Sequence, residues 1–542
     1  MKTLGAGLND IVMLSAPAVS LRIGNALTTC VRFGTPETTL GVIGSLVRAA
    51  LPGCQICAYS LRRLQPGYPC HKKAVAYGAD TIDVEFLGAP VEVIESDVRR
   101  AQVVLVTANL TQEAGSVAMV LKDLRRVKPG LLVLVGGTDA TFRPEFYLEK
   151  GADMVVRGET EALLPDLLKR LSRGQDFTAV PNLAWRESGG GVSHSPMMRE
   201  CDRDLWLPAP EDWVTPVLDE VTIGRQLIEG DPPEGVSSRS IYLETSRGCR
   251  PCDCGFCTTP QKTGGPKGYR RLSPQLLLKS LDSAARQGVG TLQIIDDNVL
   301  ARCDEAGGED EVFETFSLIR ERGFAWEFPT GLQVSRLISK GVVRDDLLRS
   351  LFSPRIGQDG RLVGGYRLFL PLETLPANSP ERYCRWSKMR GLNEEVAVAV
   401  LEGLDRAGVR MISLGVMIGF PDDTPKHIDA VVEGMTSLNG HIRRINQSRR
   451  ASGVSEMEVH WDVMVYMLLP GTADYDTYRN RLLYPDDYYS HPELLNFQTA
   501  AYRPLHMSAE ELTRIRHEIA QSFGSIEMPQ TDGSTSHQYV AI

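Results

Sequence analysis

Short apolar runs alternate with helical runs twice along this chain, and that order admits little besides parallel sheets covered by helices. In residues 1–180 the strand-like runs are 11–14, 54–59, 103–106, 131–135 and 154–156, and the helical runs are 38–51, 114–127 and 161–171. The runs Val103-Val104-Leu105-Val106 and Leu131-Leu132-Val133-Leu134-Val135 are continuous and apolar, as strands buried on both faces require. This predicts a doubly wound α/β sheet that binds ligands beyond the carboxyl ends of its strands. Those ends hold Thr107-Ala108-Asn109, Gly136-Gly137-Thr138 and Gly158-Glu159. Small residues there let backbone approach a large flat or extended ligand, and they serve equally well to close tight turns.

The second alternation gives six strand-helix units. Its strands are 241–245, 291–296, 325–330, 366–371, 411–418 and 458–466, with helical runs at 273–287, 311–322, 342–351, 393–407 and 425–438. Strand-then-helix repetition implies a parallel sheet, open or closed into a barrel, with catalytic groups at the carboxyl ends of its strands. Residues 181–238 read as a connector. They hold a short strand at 181–185, a hairpin turn at Gly189-Gly190-Gly191, and a loop-rich run with Pro208, Pro210, Pro216, Pro232 and Pro233. After residue 450 come the last strand, a helical cap that includes a helix at 508–523, and a polar tail from Thr531.

Composition narrows the function classes. At 542 residues the chain exceeds one core, and its 42% hydrophobic content suits large buried cores. A net charge of −9 argues against nucleic acid as the main partner, because phosphate binding wants a basic face. The first residues lack a signal peptide's basic end and apolar run, and no stretch reaches the ~18 apolar residues that span a bilayer. A soluble, cytoplasmic protein is expected, in which eleven cysteines are not a disulfide framework.

Four of those cysteines, Cys249, Cys252, Cys254 and Cys257, fall within nine positions just after the strand Ile241-Tyr242-Leu243. Thiolates this close on a loop suit a soft metal or an iron–sulfur cluster. A four-cysteine zinc site is the alternative, although such sites usually use two well-separated pairs. Other features are ambiguous by themselves. Cys54 and Cys57 form a C-x-x-C, either a redox or zinc pair or alternate packing positions in a strand. Asp296-Asp297-Asn298 could cap a helix. The glycines at 415 and 419 lack the G-x-G-x-x-G order of a dinucleotide site. Tyr475, Tyr478, Tyr484, Tyr488, Tyr489, Phe497 and Tyr502 could line a pocket, with ordinary packing as the preferred reading. His71 reads as a surface histidine.

Two resemblances organise these pieces. Val133-Leu134-Val135-Gly136-Gly137 and Asp153-Met154-Val155-Val156-Arg157-Gly158-Glu159-Thr160-Glu161 resemble the cobalamin-binding domain found ahead of many radical S-adenosylmethionine (SAM) enzymes. The Asp-x-His-x-x-Gly loop of other cobalamin proteins is absent: the region after the first strand reads Ser15-Ala16-Pro17-Ala18-Val19-Ser20 and offers cobalt no histidine. Residues 239–470 resemble the radical SAM superfamily through Thr245-Ser246-Arg247-Gly248-Cys249, Cys254-Gly255-Phe256-Cys257 and Tyr269-Arg270. Ile295-Asp296-Asp297-Asn298, Leu370-Pro371-Leu372-Glu373 and Gly415-Val416-Met417-Ile418-Gly419-Phe420-Pro421 follow at later strand ends. One departure stands out. The common C-x3-C-x2-C spacing is stretched by one residue between Cys249 and Cys254, with Asp253 where a cysteine would fall and Cys252 as a rival first ligand.

The resemblance implies an architecture and a set of cofactors. The architecture is an N-terminal doubly wound, Rossmann-like cobalamin-binding domain (1–180), the connector (181–238), a partial (β/α)6 TIM barrel (239–450), and the last strand with a small helical cap and tail (451–542). Cys249, Cys254 and Cys257 would hold a 4Fe-4S cluster whose open iron takes SAM. Phe256 would lie near adenine, Asp296 and Asp297 near the methionine amine, and Glu373 near the ribose. Thr107, Ala108, Asn109, Gly136, Gly137, Thr138, Gly158 and Glu159 would face cobalamin. The implied activity is C-methyl transfer from SAM through methylcobalamin to an unactivated or aromatic carbon, an indole-like ring among them, of a small natural-product precursor. An external electron donor of the flavodoxin or ferredoxin type would serve it, with no nucleic-acid partner and no membrane span. A cobalamin-dependent rearrangement or cyclisation without methyl transfer is the enzymatic alternative, and a corrinoid or iron–sulfur sensor the non-enzymatic one.

Overall fold

The computed structural model describes residues 7–24, 26–27, 37–198, 233–250, 252–375, 386, 388, 391–484 and 491–523. Pro208, Pro210, Pro216, Pro232, Tyr488, Tyr489 and the tail from Thr531 lie outside the described residues.

Five parallel strands form the heart of the first sheet: β1 (Asp10–Ser15), β4 (Gln55–Ser60), β7 (Val103–Thr107), β8 (Leu132–Gly136) and β9 (Met154–Val156). Their side chains divide strictly by parity. Val12, Leu14, Val104, Val106, Val133 and Val135 pack on one face, while Ile11, Met13, Val103, Leu105, Leu132 and Leu134 pack on the other. Both faces therefore need helices. Helix α2 (Ala114–Val127) covers the first face, and α1 (Thr38–Ala50) with α3 (Leu164–Ser172) covers the second. Cys54 and Cys57 lie against opposite faces of this sheet, so the C-x-x-C is a packing pattern.

The expected strand at 181–185 is β10 (Leu183–Arg186), which turns into β11 (Val192–His194). This hairpin joins the first sheet antiparallel beside β9, giving the order β11-β10-β9-β8-β7-β1-β4. Sequence reasoning missed a second, antiparallel sheet, ordered β3-β2-β6-β5: β2 (Ala18–Ile23), β3 (Ala26–Leu27), β5 (Pro69–Tyr77) and β6 (Asp80–Leu87). Its apolar face, with Leu21, Val75, Ile82, Val84 and Phe86, merges with the core of the second half.

That half holds six parallel strands in sequential order: β12 (Ser240–Leu243), β15 (Thr291–Ile294), β16 (Ala325–Phe328), β20 (Leu362–Glu373), β21 (Met411–Ile418) and β22 (Glu458–Val465). Among the described residues no ladder joins β22 to β12, so the array is a partial barrel. A short ribbon, β13 (Ser246–Arg247) against β14 (Arg270–Arg271), follows β12, and β19 (Arg355–Ile356) pairs antiparallel with β20. The helices between strands are α4 (Pro274–Arg286), α5 (Gly308–Glu321), α6 (Asp345–Leu351), α7 (Glu394–Arg406) and α8 (Pro425–Ala451). Helix α4 starts where the Ser273 hydroxyl accepts the Leu276 amide and Pro274 occupies the first turn. The helix expected at 342–351 starts only at α6, because the β-branched Val342-Val343 forms β18 instead, against β17 (Ile338–Ser339). The cap carries α9 (Ala473–Tyr478) and α10 (Ala509–Phe523). The cap is tied to the small sheet by the Tyr77 hydroxyl, which lies 2.8 Å from Ala500 O, 3.1 Å from Ala509 O and 2.7 Å from Thr513 Oγ1.

Candidate active site

The cysteine loop leaves the barrel at the end of β12 and is pinched shut by the β13–β14 ribbon. Gly248 begins it at φ +96°, where an added Cβ would stand 2.8 Å from the Gly268 carbonyl oxygen. Only glycine permits that close crossing of two backbones. The Gly248 amide donates to Asp297 Oδ2 at 2.8 Å, and Asp297 also accepts from Thr259 Oγ1 at 3.2 Å. Cys249 Sγ accepts from Asn298 Nδ2 at 3.5 Å, and the same amide donates to Arg250 O and Gln333 Oε1, both at 2.9 Å. A hydrogen bond with Cys252 lowers the Cys249 thiol to about 7, against the opposing effect of burial. The same bond, with burial, pushes Cys252 up. Burial raises Cys254 and Cys257, and Cys257 Sγ accepts the Thr259 amide at 3.5 Å. The C-terminal segment supports the loop from behind, where the Asp474 amide donates to Gly255 O at 2.9 Å. Among the described residues no three His, Cys, Asp or Glu side chains converge on a single metal ion. The thiol donors spread along one loop match the chemistry of a multi-iron cluster.

Phe256 lies in an aromatic group, edge-on to Trp386 at 5.0 Å and to Tyr466 at 6.1 Å. Lys388 Nζ stands 5.3 Å from the centre of its ring and pairs with the Glu373 carboxylate. Burial pulls Lys388 down, but the charge and hydrogen bond of Glu373, with Cys254 and Cys257 nearby, together outweigh it and hold the ammonium above its ordinary value. Glu373 has φ +60° and ends β20 where the ladder to β21 slips register, a bulge that re-aims the side chain. Phe256, Glu373 and Cys254 are therefore gathered around Lys388, a residue the sequence did not signal.

The two neighbouring aspartates differ. Asp297 faces the cysteine loop. Asp296 is fully buried, and its oxygens accept the Thr245 amide at 2.6 Å, the Thr245 hydroxyl at 2.7 Å and the Ser246 hydroxyl. Burial pushes its carboxyl up to about 6 despite Arg302 nearby. Asp296 ties the end of β15 to the end of β12. Tyr502 donates to Gly419 O from a fully buried position, and Tyr475 and Tyr478 pack beside it; these are packing aromatics.

A cavity of about 290 Å³ lies where the carboxyl ends of the first sheet meet the start of the barrel. Thr107, Asn109, Gly136, Gly137, Thr138, Gly158 and Glu159 line it, over an apolar floor that includes Leu105, Leu134 and Ile43. Ala108 does not reach it: it is fully buried, and its carbonyl accepts the Asp139 and Ala140 amides at 3.1 and 3.3 Å. The opposite wall comes from the barrel half, through Tyr242, Leu243, Glu244 and Arg247. An apolar slot edged by amides and hydroxyls fits a large amphipathic ring system. Among the described residues no histidine lines it. Only Ala16 and Pro17 separate β1 from β2, which leaves no loop there to carry one, and His71 is exposed on β5.

Across this cavity runs an ion-pair network. Arg247 Nη1 is 3.0 Å from Glu159 Oε2, its Nη2 is 3.0 Å from Glu161 Oε1 and 2.5 Å from Glu244 Oε2, and Arg270 also pairs with Glu159. Arg247 and Arg270 appeared in the sequence only within the matches Thr245-Ser246-Arg247-Gly248-Cys249 and Tyr269-Arg270.

Residues 68–168 match the B12 binding domain family. The structure of the cobalamin-dependent S-adenosylmethionine radical enzyme OxsB, with aqua-cobalamin and S-adenosylmethionine bound, superposes with a TM-score of 0.62 over 95% of this chain and 67% of that one, at 14% identity. The chain has the fold of a cobalamin-dependent radical SAM enzyme. The radical S-adenosylmethionine methyltransferase TsrM from Kitasatospora setae, solved with cobalamin and a 4Fe-4S cluster, gives a TM-score of 0.53 over 86% of this chain and 77% of that one, at 14% identity. An uncharacterized methyltransferase of Pyrococcus horikoshii is 22% identical over 341 residues, 61% of this chain, which spans 63% of that relative's length. No helix among the described residues is long and apolar enough to cross a membrane.

Proposed function

We propose that the chain is a cobalamin-dependent radical SAM methyltransferase that moves a methyl group from SAM, by way of cobalamin, to an unactivated or aromatic carbon of a small molecule. One observation carries the reading: a slot edged by the strand ends of a B12 binding domain opens against the strand that leads into the four-cysteine loop. When bound, the cluster with SAM supplies a carbon-centred radical and cobalamin supplies a transferable methyl group. In this reading Cys249, Cys254 and Cys257 hold the cluster, and the hydrogen bonds from Cys252 and Asn298 support Cys249 as its first thiolate. Phe256 and Glu373 hold the adenosine of SAM, and Asp297 holds its amine. Thr107, Asn109, Gly136, Gly137, Thr138 and Gly158 bind cobalamin. Electrons come from a flavodoxin- or ferredoxin-type donor.

A second reading, cobalamin-dependent rearrangement or cyclisation without methyl transfer, is favoured by one observation. More of this chain superposes on OxsB, whose description names no methyl transfer, than on the methyltransferase TsrM: 95% at a TM-score of 0.62 against 86% at 0.53. The test is anaerobic reconstitution followed by incubation with a reductant and methyl-labelled SAM. Label on the protein-bound corrinoid supports methyl transfer. Cleavage of SAM to 5′-deoxyadenosine with an unlabelled corrinoid supports the second reading. Absence of both iron–sulfur and corrinoid absorption after reconstitution would refute both.

A further inference from the structure

We infer that Glu159 is a positioning residue: through Arg247 it latches the cobalamin domain to the cysteine loop, and it is not a cobalamin ligand. The inference rests on the reading that this chain holds both cofactors. Glu159 stands at the cavity wall, as its place at a strand end predicts, yet both of its oxygens are taken. Oε2 meets Arg247 and Oε1 meets Arg270. Arg247 in turn collects three carboxylates, two from the loop after β9 and one from the end of β12. All of these side chains are mostly or wholly shielded from water, so removing one charge leaves its partners uncompensated, which is costly. The guanidinium presents five donors in a fixed planar fork for such multiple pairing, a geometry that a lysine ammonium does not reproduce.

The placement gives the network a consequence. Arg247 is two residues before Cys249, in the ribbon that pinches the cysteine loop shut, and Arg270 is its partner across that ribbon. Glu159 and Glu161 flank Thr160 on the wall of the slot. A ligand that orders residues 158–161 therefore orders the ribbon, and a cluster that orders the ribbon orders residues 158–161. Such linkage is reciprocal. The latch also sets the distance between whatever occupies the slot and whatever the cysteines hold.

The experiment uses the full chain, reconstituted with iron and sulfide, with and without hydroxocobalamin, and measures the rate of iron loss to a chelator. In the wild type, hydroxocobalamin should slow iron loss about fivefold or more, a rate effect sized from the lower range of typical equilibrium coupling. Glu159→Gln and Arg247→Lys should each take up a full cluster and bind hydroxocobalamin within about threefold of wild type, but hydroxocobalamin should no longer slow iron loss. In the same samples, the magnetic interaction between cob(II)alamin and the reduced cluster should be well defined in the wild type and smeared in the variants; an unchanged interaction would overturn the latch. So would a Glu159→Gln protein that loses hydroxocobalamin affinity while its iron retention still responds to the cofactor, for that makes Glu159 a ligand. If both cofactors bind the wild type without influencing each other, the latch falls alone, whether or not a variant folds. If the wild type takes up neither, the reading beneath the latch falls with it.

Discussion

Gly137 offers a sharp test of the proposed cobalamin slot, and Gly137→Ala is the perturbation. Gly137 has φ +123° and ψ 177°, a region open almost only to glycine. An added Cβ would stand 2.5 Å from the Ala108 carbonyl oxygen and 2.6 Å from Asn109 Oδ1. The first neighbour is buried backbone, itself held by two amides, and cannot swing aside. Strain of this kind costs about 1–3 kcal/mol, and the clash takes the total toward the upper figure. The protein can respond in two ways. If the Gly136–Thr138 turn holds, stability falls by about 3 kcal/mol, which lowers the melting temperature of a unit this size by about 6–12 °C. If the turn shifts into the slot, hydroxocobalamin affinity falls by about a hundredfold for the same free energy. Thermal unfolding and hydroxocobalamin titration of the full chain read both. Gly136→Ala is the control, since its Cβ would meet nothing closer than 3.6 Å. A Gly137→Ala protein with wild-type melting and wild-type affinity would refute the geometry of the slot.

Three further outcomes are expected. Cys249→Ala should lose most reconstituted iron and Cys252→Ala should retain it; full retention in Cys249→Ala would reassign the first ligand. Arg247 and Arg270 hold the Glu159 carboxyl below its usual range against the opposing effect of burial, so its contribution is present above the unfolded value near ~4.3 and is lost as pH falls through the folded one. The stability difference between wild type and Glu159→Gln should accordingly be constant from about pH 7 to 5 and shrink below about pH 4; an equal difference at pH 3 and pH 7 would contradict the pairing. Tyr77→Phe removes the hydroxyl that ties the small sheet to the cap and should destabilise the protein by about 1–2 kcal/mol, read as a lower denaturant midpoint. An unchanged midpoint would show that the tie carries no stability.

Much of the architecture was legible because its signals are local. A strand buried on both faces must be apolar at every position, and Val103 to Val106 is. Small residues at strand ends leave room beside the backbone, and Gly136, Gly137 and Gly158 mark ends that line the slot. Of the eight residues predicted to face cobalamin, seven line the slot, while Ala108 points its carbonyl into the turn behind Asp139 and is spent on structure. The antiparallel sheet from β2 to β6 was missed because its exposed face interrupts the hydrophobic signal, which alternates and competes poorly with the continuous runs nearby. Lys388 was missed for another reason: it meets Glu373 only through tertiary folding.

The sequence by itself determined the two parallel sheets, the positions of their carboxyl ends and the loop that gathers four cysteines, since all of these follow from residue types a few positions apart. Only the tertiary structure decided what each polar side chain faces. Asp296 and Asp297 are neighbours with the same chemistry, yet one is locked between β12 and β15 and the other is turned toward the cysteines. Glu159 stands at a strand end that invites a ligand, yet it meets the arginine that precedes the cysteine loop. Partners of this kind are chosen by charges brought together from positions nearly ninety residues apart, as Glu159 and Arg247 are. A local pattern carries no information about that distance.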